Sequence, residues 1–151
     1  MDAIALAYEQ LLQESNPVDA RMDEYVEKLV GFMREAVPMP IVTADVVPVR
    51  FEIDRVIPLG LLLNELLTNC SEHAFPSRAT GQVLVQLSEA GAQQFVLSVA
   101  DNGVGLPNDL DTGNPATLGL QLVHSLAAQL EGAVSFSSYE GTRVTVRFPR
   151  E

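Results

Sequence analysis

PLGLLLNELLTNCSEHAF, Pro58 to Phe75, is the stretch on which the reading of this chain turns. Residues three and four apart share a face of a helix, so Leu59, Leu62, Leu63, Leu66, Leu67, Cys70 and Ala74 form an apolar side. Glu65, Asn69 and His73 then fall on one polar stripe, with Glu72 at its edge. A carboxylate and an amide oxygen therefore point the same way, one turn apart. Two readings fit: the solvated side of an amphipathic helix, or the lining of a Mg-nucleotide site. In the second, Asn69 offers a hard oxygen to Mg²⁺, and Glu65 orients a reacting group or accepts a proton.

Outside the helix, three segments carry further information. DNGVGLP (Asp101 to Pro107) places an acid at the end of the apolar run FVLSVA and follows it with two closely spaced glycines. LGLQLV (Leu118 to Val123) opens a second helical pattern, and GTRVTV (Gly141 to Val146) a terminal strand. Taken alone, DNG is a turn, Gly119 a helix-start glycine and Thr142 a β-branched strand residue.

Together, and in this order, the four segments resemble the ATP-binding catalytic domain of sensor histidine kinases, within the superfamily that includes Hsp90, DNA gyrase B and MutL. GLLLNELLTNCSEHAFPS and LGLQLVHSLAAQLEGAVSF are similar to the subgroup whose usual text runs near GLIVNELVTNALKHAFP and LGLRLVRALAEQLGG. The likeness extends from about Ile41 to the C-terminus. It implies ATP and Mg²⁺ as ligands, a histidine-bearing dimerisation domain as phosphoacceptor, and a response regulator downstream. It also implies roles for individual residues. Asp101 would accept a hydrogen bond from the adenine amino group, while Gly103 and Gly105 would let the backbone approach the base. The first turn of the LGLQLV helix, Leu118, Gly119 and Leu120, would meet phosphate at the helix N-terminus. Thr142 would reach the adenine through its hydroxyl or a water. Asn69 would ligate Mg²⁺, Glu65 would serve catalysis, and His73 would neighbour the ribose or a phosphate.

Two departures from the family pattern stand out. Neither His73 nor His124, which reads as a surface residue, sits in a segment resembling a phosphoacceptor motif. Glu72 occupies a position where many relatives carry a lysine, and a carboxylate there repels phosphate; Arg78 is the candidate substitute. Two alternatives stay open: a kinase-like docking or phosphorelay module without turnover, and an anti-sigma-type serine kinase. The LGLQLV helix followed by AAQLEG disfavours the second.

The chain has 151 residues, enough to bury about 70% of its unfolded surface around one core. Its net charge of −11 and pI near 4.4 argue against nucleic-acid and anionic-lipid partners. The same charge opposes ATP, so a nucleotide would have to be held by Mg²⁺, helix N-termini and backbone amides. Met1 is followed by an acid, and no basic segment precedes an apolar one, which predicts no secretory leader and a cytoplasmic location. No apolar run approaches the length of a membrane span. The single Cys70 reads as a small core residue.

The remaining elements follow from periodicity. Helices are expected over Ala3 to Gln13, Asp19 to Val37 and Leu118 to Leu130. The last has Leu122, Val123, Leu126, Ala127 and Leu130 inward and Gly132 as its stop signal. Asp54 is the candidate N-cap of the long helix, with regular structure starting close to Pro58. Strands are expected at Ile41 to Val46, Arg50 to Glu52, Gln82 to Ser88, Phe95 to Ala100, Val134 to Tyr139 and Thr142 to Phe148, with a turn at Glu140-Gly141. The loop from Asn102 to Thr117 reads as a lid. The fold class is α/β, a two-layer sandwich of a mixed, mostly antiparallel sheet with helices on one face. Residues 1–37 would form an N-terminal helical segment resembling the end of a dimerisation hairpin, and 38–151 the ATP-binding domain.

Overall fold

The computed structural model describes residues 19–36, 41–70, 81–103, 118–138 and 140–150. In chain order these form β1 (Asp19–Arg21), α1 (Met22–Ala36), β2 (Ile41–Val46), β3 (Arg50–Glu52) and α2 (Ile53–Asn69). They continue with β4 (Gln82–Ala90), β5 (Gln94–Asp101), α3 (Leu118–Gln129), β6 (Ala133–Ser138) and β7 (Thr142–Pro149). The helix expected over Ala3 to Gln13 and most of the 102–117 loop lie outside the described residues.

Alternation builds the sheet. Val83, Val85 and Leu87 of β4 are buried at every second position, and the register sets Val85 opposite Val99 and Leu87 opposite Leu97. The same face continues through Val99 to Val144, Leu97 to Val146 and Phe95 to Phe148. On the other face Gln86, Ser98, Thr145 and Ser135 line up across four strands. The strand order is β2-β4-β5-β7-β6, with β2 parallel to β4 and every other pairing antiparallel. The apolar face packs against the helices in one core, to which α1 contributes Met22, Tyr25, Val26, Leu29 and Val30. This is the α/β layout the sequence predicts.

Several boundaries differ from expectation. α1 starts at Met22 because Asp19–Arg21 pairs antiparallel with β3 instead of extending the helix. Arg50 adds an ion pair to Asp19 at 2.6 Å. α2 starts at Ile53, well before Pro58, so Pro58 is a buried residue inside the helix and Asp54 lies in its first turn; the N-cap is Glu52, without a side-chain capping bond. A proline in the second turn forfeits one backbone bond, and burial of Val56 and Leu59 around it offsets that loss.

In α3, Leu122 is 40% exposed and does not face the core. The buried set is Val123, Leu126, Ala127 and Leu130, and Leu122 falls just off that stripe. The helix ends on Glu131, not Gly132, in the left-handed conformation, at φ 57°. Glu131 N–H donates to Ala128 O at 3.0 Å and Gly132 N–H to Ala127 O at 2.9 Å, the bonding pattern of a Schellman cap. Gly132 is needed for a different reason: a Cβ there would come within 2.6 Å of Arg147 O. Glu131→Gly is therefore expected to raise stability by about 0.5–1 kcal/mol, read as an upward shift in thermal midpoint.

The sandwich has two chemically distinct ends. At one, Phe51, Phe95 and Phe148 pack edge-on and stacked, with ring centroids 5.0–5.9 Å apart. Arg55 lies beside two of these rings and donates to Pro149 O at 2.7 Å and Arg150 O at 3.0 Å, pinning the start of α2 to the end of β7. α2 runs from there toward the opposite end, where β5 finishes at Asp101 and β7 begins at Thr142. α3 runs the other way, since the glycine after its C-terminal turn packs on Arg147 and Phe148. Twelve helical residues span about 18 Å and β7 from Thr142 to Phe148 about 20 Å, which puts the first turn of α3 toward the Asp101 end. One rim of the sheet thus collects the C-terminus of α2, the end of β5, the N-terminus of α3 and the start of β7.

Candidate nucleotide site

Asp101 is the half-buried last residue of β5, and its carboxylate organises the rim. Oδ1 accepts from Gly103 N–H at 2.9 Å and from Thr142 N–H at 3.1 Å. Oδ2 receives the thiol of Cys70 at 3.5 Å. Burial pushes the Cys70 thiol well above the usual range, and the charge and hydrogen bond of Asp101 add to that shift, so the sulfur stays protonated and donates. Two backbone donors thus fix one carboxylate oxygen, while the other meets only a weak donor among its described contacts.

The backbone beneath this carboxylate is fitted closely. Gly141 has φ 127°, and a Cβ there would overlap the Asp101 carbonyl and lie 2.9 Å from Asn102 Cα. Glycine at 141 lets the β6–β7 turn rest on the end of β5 and aims Thr142 N–H at Asp101. Gly141→Ala should cost about 2–4 kcal/mol from strain and overlap. Chemical denaturation would measure that loss, and nucleotide affinity should fall with it. Asn102 fastens the next position: its Oδ1 accepts from Gln82 N–H at 2.9 Å and its own N–H donates to Gln82 O at 3.2 Å, tying the exit of β5 to the start of β4.

Glu65 and Asn69 are half-buried, one turn apart, on the last part of α2. Asn69 immediately precedes Cys70, whose backbone N–H closes the helix onto Leu66 O and Leu67 O. Because the Cys70 side chain touches Asp101, the chain itself brings Asn69 next to the Asp101 rim. Leu118, Gly119 and Leu120 form the first turn of α3. Thr142 meets Asp101 through its backbone N–H. His73, Gly105, Glu72 and Arg78 lie outside the described residues. His124, expected at the surface, is half-buried with its ring 5.9 Å from Phe136.

Cys70 and Gly141 lie against Asp101 at this rim, although their sequence context reads as core for one and as a turn for the other. The signal for Cys70 was its place directly after Asn69 on a helix aimed at DNG; for Gly141 it was its place directly before Thr142. A groove of about 530 Å³ between α1 and β2, lined by Asp23, Glu24, Glu27, Lys28, Ala44, Asp45 and Val46, is a different feature. It lies on the edge strand, two strands from β5, and its four carboxylates oppose a polyphosphate.

A mixed five-stranded sheet, helices over one face, and a strand-ending aspartate gathered with the ends of two helices define the ATP-binding domain of the histidine-kinase type. The chain belongs to the family of histidine kinase-, DNA gyrase B- and HSP90-like ATPases, whose profile matches residues 54–151. It is 32% identical over 158 residues to the sensor histidine kinase PdtaS of Mycobacterium tuberculosis, covering 99% of this chain and 31% of that protein. It is 36% identical over 92 residues to blue-light-activated histidine kinase 2 of Erythrobacter litoralis, covering 60% of this chain and 27% of that one. The chain thus spans less than a third of the length of these curated relatives. Among solved structures, the histidine kinase domain of the Erythrobacter litoralis EL346 blue-light-activated kinase superposes with a TM-score of 0.84 at 25% identity, over 97% of this chain and 71% of that one. Among the described residues no helix is long and apolar enough to cross a membrane.

Proposed function

We propose that this chain is the Mg-ATP-binding catalytic domain of a two-component sensor histidine kinase. It would deliver the γ-phosphoryl of ATP to a histidine on a separate dimerisation domain, from which a response-regulator aspartate takes it. The observation that carries this reading is the Asp101 carboxylate, held through Oδ1 by two backbone N–H groups with Oδ2 left able to accept from an amino group at the rim. Adenine has an amino group at its 6-position; guanine has an acceptor oxygen there.

Each residue then has a task. Asp101 reads the base, Gly103 and Gly105 let the backbone come close to it, and Thr142 holds the carboxylate. The first turn of α3, Leu118, Gly119 and Leu120, would meet phosphate oxygens at the positive end of the helix dipole. His73 would neighbour the ribose or a phosphate. Asn69 supplies an amide oxygen of the hard type Mg²⁺ takes alongside substrate phosphates. Bound there, the ion would supply charge neutralisation for the phosphates. Glu65, one turn back, would orient the incoming acceptor or accept its proton. Phosphoryl transfer relies mainly on positioning and charge neutralisation, which suits a site made of helix ends and strand ends. The cytoplasm is where such a domain would meet ATP and a response regulator.

Transfer of label from γ-labelled ATP to a histidine-bearing helical-hairpin domain supplied in trans tests this proposal. The expected product is acid-labile phosphate on the hairpin and none on this chain. Phosphate on His124 or His73, or no label on a hairpin that its own catalytic domain labels, would contradict it.

A further inference from the structure

Taking Asp101 as the base-reading group, as proposed above, we infer that Cys70 is a positioning residue for adenine, holding the one carboxylate oxygen the base must use. The two backbone donors from Gly103 and Thr142 both act on Oδ1. They hold the carboxylate through Oδ1 alone; rocking about the bond to Cβ moves both oxygens, and a contact on Oδ2 opposes it from the other side. The described partner of Oδ2 is the Cys70 thiol, at 3.5 Å, on a residue only 7% exposed at the end of α2. Thiols are weak donors. A weak donor from below fixes the direction of Oδ2 and keeps water from the space beside it, yet leaves its acceptor strength available to an amino group arriving from the rim. The same contact ties the end of α2, and with it Asn69, to the end of β5, so base and metal ends of the site keep one spacing.

The role separates from simple packing through the base. Purine riboside triphosphate matches ATP except that it lacks the 6-amino group, so it makes no use of Oδ2. Removing the donor should weaken Mg-ATP but not Mg-purine riboside triphosphate. Competition binding would be measured for both nucleotides on the parent chain and on Cys70→Ala, Cys70→Val and Cys70→Ser, with circular dichroism and thermal melts confirming the fold. The expected result is a loss of about three- to tenfold in ATP affinity for Cys70→Ala, the worth of one hydrogen bond. Cys70→Val, which keeps volume without a donor, should show the same loss. Purine riboside triphosphate should be held as the parent holds it, and Cys70→Ser should recover the preference for ATP. A parent that prefers ATP, with variants that keep that preference or lose both nucleotides equally, overturns the role of Cys70 alone. A parent that binds the two nucleotides equally overturns the base-reading role of Asp101, and this inference with it.

Discussion

Asp101→Ala should lower affinity for Mg-ATP by about 100-fold or more while the domain stays folded. A hydrogen bond to a charged acceptor is worth about 1.5–3 kcal/mol, and every 1.4 kcal/mol is about tenfold in affinity. The substitution also leaves Gly103 N–H and Thr142 N–H without the acceptor they share, so the rim backbone loses its order together with the base contact. Asp101→Asn separates these effects. Its amide oxygen would stay with the two backbone donors, placing an NH₂ group where Oδ2 stood. That group faces the adenine amino group donor to donor and matches the 6-oxygen of guanine. Asp101→Asn should therefore lose ATP and close the gap to GTP, and a titration with each nucleotide reads both outcomes. Retention of ATP preference by either variant would remove Asp101 from the site.

Along α2 the second large effect is expected on turnover. Glu65→Gln keeps shape and hydrogen bonding but removes the charge, so kcat should fall about 10²- to 10⁴-fold if Glu65 assists proton transfer, with Mg-ATP affinity unchanged. Such a split marks an interaction made chiefly in the transition state. Asn69→Ala should behave in the opposite sense, weakening Mg-ATP and raising the Mg²⁺ concentration needed for binding, because it deletes the oxygen proposed above as a ligand. Phosphotransfer kinetics with a histidine-bearing acceptor, alongside Mg²⁺ titrations of nucleotide binding, distinguish the two. Parent-like behaviour of both variants would return the stripe to an ordinary solvated helix face.

How much of this was legible in the sequence depended on the range of the interaction. The apolar stripe of α2 and the alternation of β4 and β5 are local periodicities, and the buried residues follow them. DNG at the end of an apolar run is by itself a turn; Asp101 was marked only by the order of the four segments and the resemblance they carry. What holds that carboxylate was hidden: Thr142 is 41 residues away, brought beside it only by the β5–β7 pairing. Three-residue β1 is too short to show alternation, so its residues read as the start of α1. Glu131 was masked by the glycine beside it, since composition identifies a helix stop but not which residue takes the positive φ. Cys70 looked like core because it is core; its second role exists only where α2 and β5 meet.

Equilibrium titration of the parent chain with a fluorescent ATP analogue in Mg²⁺, displaced by ATP and by GTP, tests the adenine site most directly. The account predicts saturable binding that ATP displaces at least about tenfold more effectively than GTP, the difference of one hydrogen bond to a charged acceptor. No binding at millimolar nucleotide, or equal displacement by GTP, would contradict it.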